Sequence, residues 1–266
     1  MAIPVFMLPS NKKITVQFRE PTIEDCIEFS GLNEALSERS ATQYLNLIQI
    51  GQVNDSATWT AQDRIAALWW VFVCISPDTL IPFQYTCSDC GEKHVVDIDL
   101  MDLDDESITL NCPPFIKKKL SIAGKEQELM LHHPNGRAME HMEQQKLILS
   151  TLEPGSREHS IENAKLRVFS VAHSFSLPGE DGDFDTALEN KMALINKMSR
   201  TSEYQDLVIA TEAAKEALKH GLNCSVIDGE VFINSPVIYC ENKPEGQATP
   251  RRLLFPFHSQ HFIPAV

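Results

Sequence analysis

The chain is 266 residues long and 43% hydrophobic, with 23 Lys and Arg against 37 Asp and Glu, a formal charge of −14. The length supports one large or two modest domains with substantial cores, and the apolar fraction excludes a disordered chain. The acidity argues against a general binder of nucleic acid or anionic membranes, because phosphate contacts need Lys and Arg, and leaves a basic protein partner open. Seven cysteines without a dense framework do not fit a secreted disulfide scaffold. The opening Met1-Ala2-Ile3-Pro4-Val5-Phe6 lacks the basic region of a signal peptide. The longest apolar run, Ala66 to Ile75, falls short of the ~20 residues that span a bilayer. The expectation is a soluble protein made in a reducing cytoplasm.

In chain order, residues 3–8 and 13–18 predict a hairpin, with Ile14, Val16 and Phe18 alternating with polar residues and Pro9-Ser10-Asn11 as its turn. Pro21-Thr22 opens a helix, with Thr22 as cap, Asp25 three residues on, and Ile23, Ile27 and Cys26 along one face. A short helix is expected over 41–50, with Tyr44, Leu45 and Ile48 inward. Thr60 with Asp63 has capping-box spacing and starts a third helix. Ile65, Leu68, Trp69, Phe72 and Val73 make it apolar nearly all round, so it is buried in the fold or in a partner, and Pro77 marks its end. Trp69-Trp70 and Phe72 are either core or a partner-facing stripe.

The most informative stretch follows. Cys87-Ser88-Asp89-Cys90-Gly91 sits between Phe83-Gln84-Tyr85-Thr86 and the alternating run His94 to Leu100. A Cys-x-x-Cys-Gly turn at a hairpin tip is how zinc ribbons present two thiolates to one ion, the Gly letting amides face the sulfurs. Residues 115–122 and 126–132 predict another hairpin, turning at Ala123-Gly124-Lys125. Helices are expected from Asn135 through about Val171, then over 187–199 and 202–219, with a breaker-rich acidic loop at 176–186 between them and Gly221 as a stop. The last segment reads as β: Val231, Ile233, Val237 and Ile238 run into Cys240, then come a polar turn and a return run Leu253-Leu254-Phe255-Pro256-Phe257. It echoes the earlier pattern of strand, Cys turn and strand.

Structural zinc needs four ligands, and Cys87 and Cys90 supply two. Cys240 occupies the corresponding C-terminal turn, with Lys243 where a second Cys would stand, so the metal candidates are Cys87, Cys90 and Cys240. The set is completed from His94, Cys112, His220 or Cys224; the alternative is a ribbon that has lost its metal and survives as a tight turn. A redox pair is disfavoured because a strand, not a helix, follows it. Asp181, Asp183 and Asp185 have calcium-loop spacing, but Thr186 and Met192 replace the Gly and Glu it needs. His132, His133 and His141 match no catalytic spacing and read as surface or hairpin-end residues. No phosphate-cradling loop is present.

Three features together resemble the baseplate hub proteins of contractile-tailed bacteriophages. They are Phe18-Arg19-Glu20-Pro21-Thr22 after an N-terminal hairpin, Phe83-x-Tyr85-x-Cys87-x-x-Cys90-Gly91 before Val96 to Leu100, and the ending Leu254-Phe255-Pro256-Phe257 with Phe262-Ile263-Pro264. The family pattern departs at the second turn, where only Cys240 remains, and at the altered Leu-Pro-Phe element. The resemblance implies a non-enzymatic virion component, located in the tail baseplate after assembly in the host cytoplasm. Its partners would be other hub, tail tube or tape-measure proteins in a hetero-oligomer, with no nucleic acid.

The fold expectation is α+β, with β-hairpins and a small zinc-ribbon-like β unit among packed helices. It divides into an N-terminal region 1–132 with the Cys hairpin and a helical region 133–266 with a C-terminal hairpin and a docked apolar tail. The expected cofactor is one structural zinc. The alternatives are a tail-assembly chaperone absent from the virion, which the acidic charge and the apolar helix would suit, and a metal-dependent hydrolase or ribbon-type nucleic-acid protein.

Overall fold

A computed structural model describes residues 3–31, 34–122, 124–180, 182–227, 230–244 and 247–264. Among these residues the fold is mixed α+β, with seven α-helices, a π-helical turn and four small antiparallel sheets. Two strands, β1 (Phe6–Leu8) and β2 (Asn11–Val16), form the first hairpin around Pro9-Ser10. The capping box of Thr22 and Asp25 starts α1 (Ile23–Glu28), and Asp25 also pairs with Arg19. Ile23 and Ile27 share a face as expected, but that face is solvent-exposed. The second helix, α2 (Ser37–Leu47), begins earlier than 41, and Tyr44, Leu45 and Ile48 are buried.

The helix α3 (Ala61–Ile75) has the predicted capping box of Thr60 and Asp63 and buries Ala66, Ala67, Leu68, Trp69 and Val71. It is the spine of the first apolar cluster, which packs Phe6, Phe18, Tyr44, Leu45 and Leu100 with Ile233, Phe255, Phe262 and Ile263. Both ends of the chain therefore feed one core, and the apolar tail is docked as expected up to residue 264; Ala265 and Val266 lie outside the described residues. Next come the cysteine hairpin strands, β3 (Leu80–Thr86) and β4 (Lys93–Asp99), in unbroken antiparallel register.

A second apolar cluster holds the middle of the chain. The hairpin β5 (Phe115–Ile122) and β6 (Lys125–His132) packs Ile122, Leu129 and Leu131 against helices; Ala123 of its turn lies outside the described residues. A short strand β7 (Phe175–Ser176) extends this sheet. The helices are α4 (Gly136–Ser150), α5 (Arg157–Ala172), α6 (Phe184–Ile195) and α7 (Gln205–Ala217), with the π-helical turn Arg200–Tyr204 leading into α7. Against the predicted 187–199, α6 both starts and ends earlier, Asp183 capping its start, and the predicted 202–219 is divided between the π-helical turn and α7. That cap is the role of Asp183 in the supposed calcium loop; Asp181 lies outside the described residues. At Gly136 a Cβ would meet Arg64 Nη1 at 1.9 Å and the Ala57 backbone at 2.9 Å, so only glycine lets α4 start there.

The C-terminal β unit differs from its sequence pattern. A strand that the pattern missed, β8 (Cys224–Ile227), pairs with β9 (Glu230–Asn234), and β9 pairs with β10 (Leu254–Pro256). Val237 and Ile238 lie beyond the strand, with a single bridge from Ile238 to Arg251. Pro236 stops the ladder by removing a donor.

Candidate metal centre

The site is built by two turns far apart in sequence. At the tip of β3–β4, Cys87 N–H donates to Glu92 O at 2.8 Å and Gly91 N–H to Cys87 O at 2.8 Å, closing a tight loop. Gly91 adopts φ 77, the left-handed conformation that lets the chain fold back. His94, the second residue of β4, turns to the same side, its ring stacked on Tyr85 with centroids 5.6 Å apart. The second turn carries Cys240. It is fastened to the first by Arg251 Nη2 to Asp89 Oδ2 at 2.9 Å, by Thr249 N–H to Asp89 Oδ2 at 2.8 Å, and by Asn242 Nδ2 to Cys90 Sγ at 3.8 Å. Behind the turns, Phe83 packs on Phe255 with ring centroids 5.2 Å apart.

The result is a cluster of Cys87, Cys90, His94 and Cys240 whose ligand atoms all lie within 4.8 Å of one another. Cys90 Sγ and His94 Nε2 are 3.1 Å apart. Around tetrahedral zinc, bonds of about 2.3 Å to sulfur and about 2.0 Å to nitrogen separate ligand atoms by roughly 3.5–3.8 Å, so the four atoms fit one ion after small adjustments. Three thiols and an imidazole are a donor set of structural zinc, and the protein fills all four positions. These four side chains can hold a metal ion such as zinc.

The backbone supports the thiolate form unevenly. The Glu92 amide, hydrogen-bonded to Cys90, holds its thiol below the ordinary range. Burial pushes the Cys240 thiol up to about 11, although the Asn242 amide opposes this. In both turns the amide two residues after the cysteine faces its sulfur. A divalent ion bound there favours the thiolate form of its ligands.

Of the sequence candidates, Cys87, Cys90 and Cys240 come together, and His94 is the completing residue. Cys112 is exposed and elsewhere. Cys224 sits on β8, its thiol raised by burial to about 12. His220 is enclosed, its Nδ1 2.6 Å from Leu218 O and its Nε2 2.7 Å from Thr60 Oγ1. His132, at the end of the β5–β6 hairpin as expected, and His133 and His141 are half-buried rather than free on the surface. His133 Nε2 donates to Lys215 O at 2.9 Å, His132 Nε2 meets Ser176 Oγ at 2.7 Å, and His141 Nδ1 meets the buried His173 Nε2 at 3.0 Å. Packing of β6, α4 and α7 encloses these rings, and spacing alone could not reveal it.

No helix among the described residues is long and apolar enough to cross a membrane. No family model matches the chain, and no curated protein or solved structure matches it either.

Proposed function

We propose that this chain is a structural component of a phage tail baseplate hub, working by protein–protein contact, with one zinc ion held by Cys87, Cys90, His94 and Cys240. The observation that carries the zinc staple is the meeting of Cys240 with a hairpin about 150 residues away in sequence, in a four-ligand set. The hub assignment is supported by the three motifs of the sequence resemblance, the second of which supplies one ligand turn and the third the docked ending. A small β unit has little core of its own, and a metal supplies the missing folding energy. The staple fixes the C-terminal segment on the first core and sets the surface that neighbours touch. A chaperone reading drew on the apolar helix at 60–75, but α3 spends its apolar faces inside the core.

Two measurements test the proposal. Metal analysis of protein purified without chelator is expected to give one zinc per chain, and protein with no zinc or iron overturns the staple. Mass spectrometry of purified tails is expected to find the chain, and its absence from particles overturns the hub assignment.

A further inference from the structure

Away from the cysteine turns, a cleft of about 200 Å³ opens beside α3, lined by Val5, Met7, Trp69, Trp70, Asp104 and Leu222 among others. Trp69 is core, but Trp70 is only partly buried and anchors its indole N–H on Pro4 O at 3.0 Å. Apolar side chains at the mouth are left in water: Val5 is 56% exposed and Met7 48%. The turn Leu100–Glu106 brings Asp104 to the cleft wall and is held by Trp69 Nε1 to Leu100 O at 2.8 Å. Its Asp102, Asp104 and Asp105 are exposed and form no ion pair with another described residue, whereas Glu106 is taken by Arg252. Met101 and Ile108 flank the turn, 58% and 46% exposed, and Ile108 is bridged to Gly221, which lines the cleft.

We infer that this cleft is the docking surface for a segment of another protein that presents an apolar side chain flanked by Lys or Arg. An apolar anchor covers Trp70, Val5 and Met7, and the cations meet Asp104 at the cleft wall with Asp102 and Asp105 of the same turn, which form no ion pair with another described residue. This is the arrangement of an interface centre with a charged rim, where aromatic residues contribute most and rim charges steer the encounter. An acidic segment is repelled by the same rim, and by the charge of −14 over the whole chain. The inference names the partner chemistry and rests on the reading of the chain as an assembly protein; it does not depend on the metal.

The probe is a synthetic peptide, acetyl-Lys-Leu-Lys-Phe-Lys-Leu-amide, with the same peptide carrying Glu for Lys as its opposite. Trp59 and Trp69 are buried and already shielded from water, so a shift of tryptophan emission on binding reports chiefly on Trp70. The basic peptide is expected to shift the emission to the blue and saturate, and the acidic one to do nothing. The variant Asp102→Asn/Asp104→Asn/Asp105→Asn is expected to bind about fivefold more weakly, from three exposed charge contacts. A control with the same change in net charge elsewhere, Glu153→Gln/Glu158→Gln/Glu189→Gln, is expected to bind like wild type. Val5→Ser/Met7→Ser, at two exposed positions, is expected to weaken binding while circular dichroism stays unchanged. No saturating shift, equal response to both peptides, or equal weakening in the control overturns the inference. If the peptide fails while the chain is found in tails, the docking surface alone is lost; absence from tails removes the hub assignment whatever the peptide does.

Discussion

Two junctions fasten the C-terminal part of the chain to the N-terminal core, and they are satisfied in opposite ways. At the first, Asp63 is wholly buried and accepts from Ser10 N at 2.8 Å, Ser10 Oγ at 2.5 Å and Thr60 Oγ1 at 2.8 Å, while His220 reaches the same Thr60 hydroxyl at 2.7 Å. Donors and acceptors there complete one another, so the protein needs nothing from outside. At the second, Cys87, Cys90 and Cys240 bring together three thiols with weak hydrogen-bonding capacity, beside the ring nitrogen of His94, so four electron-pair donors converge. A thiol cluster gains little from itself and much from a cation. The contrast teaches that the polar group which closes on itself is scaffold, and the one left with only lone pairs marks where a ligand completes the fold.

The sharpest way to break that contrast is to remove the thiols. Cys87→Ser/Cys90→Ser is expected to abolish zinc binding, and limited proteolysis should then cut the segment 235–264 first. Structural zinc contributes on the order of 10 kcal/mol in finger peptides, so this is the largest effect expected. A variant whose C-terminal segment stays as protected as wild type shows that the staple is dispensable. Next comes Asp63→Ala, which strands the Ser10 amide and two hydroxyls in the core. It should cost about 4 kcal/mol in urea unfolding while zinc stoichiometry stays unchanged.

The buried histidines add a pH dependence. Burial, reinforced by His220, holds His133 down at about 4, so the fold favours its neutral ring. Its contribution is full above the unfolded value of about 6.5, falls as pH drops toward 4, and levels off below, a loss of about 3 kcal/mol. His173, pushed down to about 3 chiefly by burial, acts in the same direction. Urea midpoints between pH 7.5 and 4.5 should show the fall, and His133→Gln should flatten it; an unchanged slope in the variant assigns the loss to other groups. Smallest is Lys165→Ala, which removes the exposed pair with Glu162 at 2.7 Å and should change stability by less than about 0.5 kcal/mol.

The sequence carried the local signals well. Thr60 with Asp63 and Thr22 with Asp25 are capping boxes in the structure because the cap is a contact over three residues, which spacing encodes directly. The hairpin of β3 and β4 follows from alternation around a Cys-x-x-Cys-Gly turn, and the turn itself supplies half of the metal site. The rest needed distance. Nothing in local spacing separates His94 from Cys112, His220 or Cys224 as the completing ligand, because the choice depends on which strand face meets Cys240. The strand β8 was missed because Val226 and Ile227 lie at an exposed sheet edge, where burial imposes no clear alternation. The partial burial of His133 and His141 is equally invisible in spacing, because it is made by elements that arrive from elsewhere.

By itself, then, the amino-acid sequence determined the class α+β, most element positions, the acidic surface and the two cysteine turns, all properties set within a few residues by dihedral preference, periodicity and charge. Only the tertiary structure decided that the two turns face each other, that His94 joins them, that both chain ends share one core, and that Trp70 stands at the wall of an open cleft. Those outcomes depend on long-range packing, whose free energy is spread over many residues and is written in no single stretch of the chain.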